Sequence, residues 1–109
     1  MLTLDADYLK DLFEPFGAVN PRRMFGGIGV FHDGLMFALV ADGGLYLKAD
    51  EGTLPLFEDA GCKPFVYQGK TKPVQLSYWS VPEEALDDPE VMKGWAERAF
   101  SAALKAKKT

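Results

Sequence analysis

The stretch Asp33-Gly34-Leu35-Met36-Phe37-Ala38-Leu39-Val40-Ala41-Asp42-Gly43-Gly44-Leu45-Tyr46-Leu47-Lys48 decides the fold. Asp-Gly suits the two positive-φ positions of a type I′ hairpin turn, so Asp33-Gly34 is expected to reverse the chain tightly. Leu35 to Val40 is an unbroken apolar run. Such a run predicts a central strand covered on both faces. Asp42-Gly43-Gly44 turns the chain again. Leu45, Tyr46, Leu47 and Lys48 then alternate, which places the two leucines on one face of a strand. Upstream, Arg22 to His32 reads as a single strand interrupted by Gly26, Gly27 and Gly29. Glycine inside a strand marks a bulge or a close backbone approach. Three antiparallel strands therefore form the centre.

Outward from this centre the periodicity changes. Leu9, Leu12, Phe13 and Phe16, with Tyr8 beside them, recur at helical spacing and predict an amphipathic first helix. Asp5 and Asp7 suit its first turn, and Pro15 and Gly17 mark its end. A short helix fits Leu54 to Ala60, with Pro55 in its first turn and Gly61 as its stop. Phe65 to Tyr67 is a fourth strand, residues 68–73 a polar loop, and Val74 to Trp79 a fifth strand. Asp88 caps a final helix that starts at Pro89 and buries Val91, Met92, Trp95, Ala99, Ala102 and Ala103. Gly94 inside that helix costs about 1 kcal/mol relative to alanine. The predicted order is α-β-β-β-α-β-β-α. This is an α+β fold, one five-stranded antiparallel sheet with helices packed against it.

At 109 residues the chain has the size of one domain, residues 1–109. Its hydrophobic share of 48% and aromatic share of 13% suffice for a core without a disulfide staple or a structural metal. Sixteen acids against twelve Lys and Arg give a net charge of −4. A domain that grips phosphates by itself usually carries a basic stripe. Here the dense basic run is Lys105, Lys107 and Lys108, which reads as a solvated end. No strong autonomous DNA binding is expected. Cys62 is the single cysteine, which excludes an intramolecular disulfide and fits a reducing compartment. The N-terminal residues carry neither a charged nor an apolar signal region, and the longest apolar run is far shorter than a membrane span. A cytoplasmic protein without membrane contact is expected.

Catalytic constellations do not assemble on paper. His32, the sole histidine, abuts a hairpin turn, and Ser77, Ser80 and Ser101 fall in an edge-like strand, at its exit and in a helix. No serine lies on a nucleophile elbow. Cys62 lacks a second cysteine for a redox pair, and one histidine with one cysteine makes a poor zinc site. It reads as a small buried hydrophobe. Phe25-Gly26-Gly27-Ile28-Gly29 suggests a phosphate loop, but a dinucleotide fingerprint needs glycine where His32 stands, and a hairpin turn follows instead of a helix. Glu83-Glu84 and Asp87-Asp88 sit where helix capping asks for acids. No catalytic residue, cofactor or metal is expected.

Arg22-Arg23-Met24-Phe25-Gly26-Gly27 remains. With Asp33-Gly34, Met36-Phe37-Ala38 and Tyr46-Leu47-Lys48, this segment resembles the N-terminal domain of the TfoX (Sxy) family. The likeness continues through Gly61, Pro64-Phe65, Tyr67, Tyr78-Trp79 and Val81-Pro82-Glu83, and covers nearly the whole chain. The resemblance implies a fold like that of type III secretion chaperones. It also implies a role like that of competence regulators, which act with a transcription factor rather than as enzymes. Full-length members carry a second, helix-hairpin-helix domain; the chain ends at Thr109 before it, so a stand-alone copy is expected.

Two classes of function follow. The first is a protein-interaction domain, a transcriptional co-regulator whose partner would be a protein such as a transcription factor. The second is a small-ligand binder or an unrecognised enzyme. A deep pocket holding polar groups would favour the latter, and an apolar patch rimmed by charge the former. The interaction surface is expected at Arg22, Arg23, Met24, Phe25, Gly26, Gly27 and Gly29. Adjacent strand residues point to opposite faces, so at least one arginine should meet solvent. Met, Phe and Arg are side chains that interfaces favour, and the glycines bare the backbone. The competing reading puts Met24 and Phe25 in the core. A symmetric homodimer through the segment also fits.

Overall fold

A computed structural model describes residues 4–24, 26–68 and 71–108. Among them the order is α1 (Ala6–Leu12), β1 (Asn20–Met24), β2 (Gly27–His32), β3 (Leu35–Ala41), β4 (Gly44–Lys48), α2 (Leu54–Asp59), β5 (Pro64–Gln68), β6 (Pro73–Ser80), α3 (Glu83–Asp87) and α4 (Pro89–Lys108). The fold is α+β, with an antiparallel sheet and helices, as the periodicities predict. The sheet has six strands among the described residues, ordered β1-β2-β3-β4-β6-β5.

The sixth strand arises where one bent strand was expected. Met24 pairs with Gly27 and Arg22 with Gly29, so the chain doubles back between Met24 and Gly27 into a hairpin. Gly26 sits in this reversal at φ 76°, a conformation that costs glycine nothing and side-chain-bearing residues much. Phe25 lies outside the described residues. The next two turns are as read: Asp33 and Gly34 have φ 49° and 80°, Asp42 and Gly43 49° and 78°, the paired positive values of a type I′ hairpin.

Two further expectations are corrected. Glu83 and Glu84 do more than precede a helix; they open the short α3, where their charge meets the positive end of the helix dipole. β6 lies between β4 and β5, so Ser77 and Ser80 belong to an interior strand. The helix starts hold as read. The Asp5 carboxylate accepts the Tyr8 N–H at 2.8 Å, and Asp88 accepts the Glu90 N–H at 3.0 Å ahead of α4.

β3 is interior in the sheet, as its composition requires, but the helices cover only one of its faces. Val30 pairs with Ala38 and Phe31 with Met36, leaving Phe37 as the extra residue of a β-bulge. The bulge breaks the period of two, so Phe37 and Ala38 both turn toward the helices and both are fully buried. Met36 and Leu39 face the other way and stay half-buried. The unbroken apolar run thus reflects a bulge and two unlike faces.

The covered face carries Val30, Ala38, Leu45, Leu47 and Trp79. Phe13 of the α1 end meets Phe37 edge-on, ring centroids 5.2 Å apart, and Phe57 of α2 packs on Trp95 of α4 at 5.0 Å. Ala96, Ala99, Ala102 and Ala103 are all buried, and their small side chains let α4 lie close to the sheet. At the far end, Asp50 and Thr53 exchange bonds: each backbone N–H donates to the other's side-chain oxygen at 2.9 Å. Lys105 of α4 sits 3.4 Å from the Asp50 carboxylate. Burial works to raise the Asp50 carboxyl, but the Thr53 N–H and the Lys105 ammonium outweigh it and hold the group below its ordinary value.

Candidate interaction face

The uncovered face of the sheet follows from register. Directly opposed residues on antiparallel strands share a face. One row runs Arg22, Gly29, Leu39, Tyr46, Ser80 across β1, β2, β3, β4 and β6. Beside it, Phe31 pairs with Met36 and Lys48 with Tyr78. None of the apolar members of these rows belongs to the core cluster or packs against it. All are half-buried, covered by one another rather than by a helix. Tyr46 packs on Phe65 of β5, centroids 4.9 Å apart. The Tyr78 hydroxyl donates to the Met36 carbonyl at 3.4 Å.

Glycines shape this surface in two different ways. A Cβ on Gly27 would stand 2.1 Å from the Val40 carbonyl oxygen, so a close backbone approach excludes any side chain there. A Cβ on Gly29 would meet the sulfurs of Met24 and Met36 at 2.4 and 2.8 Å. The two thioethers therefore fold over Gly29 and fill the hollow it leaves, and thioethers adapt easily to such spaces.

Charge is distributed unevenly. The six strands contain no Asp or Glu, although the chain has sixteen; the acids occupy the helices, their ends and the turns. On the uncovered face the fixed charges are cations. The Arg22 guanidinium lies 5.6 Å from the Phe31 ring centroid and the Lys48 ammonium 5.2 Å from that of Tyr78, both within cation–π range.

Groups that could do chemistry are built into the fold. The His32 Nδ1–H donates to the Ala18 carbonyl at 2.6 Å, while its ring packs against Phe16 and Phe100 at 4.7 and 4.8 Å. It pins the segment between α1 and β1 onto β2. Cys62 is buried, and burial pushes its thiol up against the opposing hydrogen bond with Ser80. That leaves little thiolate, the reactive form. Burial also pushes the Tyr78 phenol up to about 12. Among the described residues, no three His, Cys, Asp or Glu side chains gather closely enough to hold a metal ion. The cavities are open clefts. One of about 450 Å³ includes Lys48, Asp50, Trp79 and Lys105 in its walls. One of about 590 Å³ includes Arg23, Met24, Ile28 and Val40 at the hairpin tips.

The segment expected to carry the interaction is thus divided between faces. Arg22 and Arg23 are both exposed, with Arg22 on the uncovered face and Arg23 opposite Ile28 on the helix side. Met24 lies over Gly29 on the uncovered face and outside the core cluster, which decides between surface and core for this residue. Gly26 turns the hairpin; Gly27 and Gly29 allow close approach. Phe25 lies outside the described residues. The sequence reading missed Phe31, Met36, Leu39, Tyr46, Phe65 and Tyr78 as members of the same face. The signal was present in β4: placing Leu45 and Leu47 inward puts Tyr46 and Lys48 outward.

No described helix is long and apolar enough to cross a membrane. A family model for the TfoX N-terminal domain matches residues 11–103. The chain is also 36% identical over 84 residues to the DNA transformation protein TfoX1 of Aliivibrio fischeri, an alignment covering 73% of this chain and 40% of that relative. The match therefore covers less than half the length of that relative. With residues 11–103 accounted for by the family model, this protein belongs to the TfoX N-terminal domain family.

Proposed function

We propose that this domain is a non-enzymatic protein-interaction module in the control of DNA transformation, acting as a co-regulator beside a transcription factor. One observation carries the interaction reading: a whole sheet face of aromatic, methionine and cationic side chains lies uncovered by any described helix. Interfaces favour these residue types, and an apolar patch rimmed by charge suits a partner protein better than a small ligand. The link to DNA transformation comes from the relative's name. The net charge of −4 opposes long-range attraction to phosphates, so duplex affinity of the domain alone is weak and lost at moderate salt.

The test is genetic. Deleting the gene in its own organism should lower transformation frequency at least tenfold, with a parallel loss of transcripts for DNA-uptake genes. The wild-type copy should restore both, and a folded Arg22→Ala, Arg23→Ala double variant should not. Unchanged transformation and transcripts after deletion would refute the role.

A further inference from the structure

We infer that the uncovered sheet face is a docking site for an acidic, amphipathic segment of a partner protein. This rests on the reading of the domain as an interaction module and says which face of the sheet carries the contact. Charge complementarity selects the partner. An acidic chain has kept every Asp and Glu out of its six strands, so the fixed charges on this face, Arg22 and Lys48, are positive. A partner segment bearing carboxylates would be drawn to this face and repelled by the helices and turns that hold the sixteen acids.

Geometry adds a second requirement. Arg22 stands on β1 and Lys48 on β4, three strands apart, which corresponds to about 15 Å at ordinary strand spacing. Phe31, Met36, Leu39 and Tyr46 fill the space between. A fitting segment therefore carries two acidic groups separated by apolar ones, about ten residues apart in a helix. The two methionines over Gly29 let the surface adapt to its occupant, since thioethers repack readily. A single-stranded nucleic acid fits less well, because base stacking needs a free ring face. Here Phe31 and Tyr78 already lie under cations, and Tyr46 is packed on Phe65.

The experiment uses the isolated chain and a phage-displayed library of random sixteen-residue peptides. Peptides selected on the wild-type protein should be acidic with interspersed Phe, Leu or Trp. Their affinity, read by fluorescence anisotropy of synthetic copies, should fall at least tenfold in a folded Arg22→Glu, Lys48→Glu variant. It should stay within twofold in Arg23→Glu, whose side chain lies on the other face. Neutral or basic binders, equal binding by the double variant, or an empty selection would overturn the proposal. So would equal or tighter binding of oligo-dT, or a wild-type dimer by sedimentation that the double variant abolishes. Because peptide binding is measured outside the cell, it separates this inference from the genetic role. Acidic binders with unchanged transformation would leave the docking face standing without that role. Partner capture that depends on Arg23 alone would keep the module and remove this face.

Discussion

The two faces of this sheet are built by alternate residues of the same strands, and both are rich in apolar side chains. On the helix side, Val30, Ala38 and Leu47 are fully buried, in one core cluster with Phe13, Phe57 and Trp95. On the other side Phe31, Met36, Leu39 and Tyr46 are shielded by neighbouring strand side chains such as Arg22 and Phe65 and remain half-buried. Hydrophobic content alone does not separate the faces. What separates them is the company each keeps: small alanines on α4 bring a helix down onto one face, while the other offers glycine hollows, thioethers and cations. Stability should therefore come from the first face and recognition from the second.

The largest effect expected from this contrast is at the bulge. Phe37→Ala removes a fully buried ring held against Phe13, Phe16 and Phe100 and should cost about 3–5 kcal/mol, because the space cannot collapse completely. Phe31→Ala, on the half-buried side, should cost about 1 kcal/mol, the value of partial burial. Urea unfolding midpoints of the two variants measure the difference. Equal losses would mean that the uncovered face is a second core.

A smaller effect should separate two glycines of one strand. A methyl group on Gly27 runs into the Val40 backbone, which cannot move without disturbing the β2–β3 pairing, so Gly27→Ala should cost about 1–3 kcal/mol, as overpacking does. On Gly29 the same methyl meets the ends of two methionines, which can swing outward. Gly29→Ala should lose less stability than Gly27→Ala and bind the selected acidic peptides less well. Melting curves read with peptide affinity resolve this. A larger stability loss at Gly29 would show that the thioethers are locked in place.

The fold was legible because its signals are local. Two Asp-Gly pairs fix two hairpins by φ alone, helical spacing exposes α1 and α4, and capping acids mark their starts. The extra strand was not legible, since Gly26-Gly27 reads equally as a bend or a reversal until the pairing of Arg22 with Gly29 is known. β3 misled for a related reason: the bulge at Phe37 turns two consecutive apolar residues to one side and conceals the alternation. Of the proposed docking face, the sequence exposed the segment around Arg22 because its residue types are unusual together. The remainder is assembled by register from β2, β3, β4, β5 and β6, and no single strand carries enough of it to stand out.

The smallest effect concerns how well the uncovered face shields its own residues. Tyr78 lies under Lys48 and beside Met36, and burial pushes its phenol from the ordinary 10.0 up to about 12. Below pH 10 the phenol is neutral in folded and unfolded chains alike, so its contribution is whole. Between 10 and 12 the unfolded chain ionises first, and stability drains as pH rises through the folded value. Tyr78→Phe keeps the ring and removes this proton. Its unfolding midpoint should sit slightly below wild type at pH 8, from loss of the long bond to the Met36 carbonyl, and the gap should close as pH is raised toward 11. Titration of tyrosinate absorbance should show one slow component in the wild type that the variant lacks. If the gap between the two proteins stays constant with pH, Tyr78 is wet, and the side chains around it do not form the closely covered surface on which the docking proposal depends.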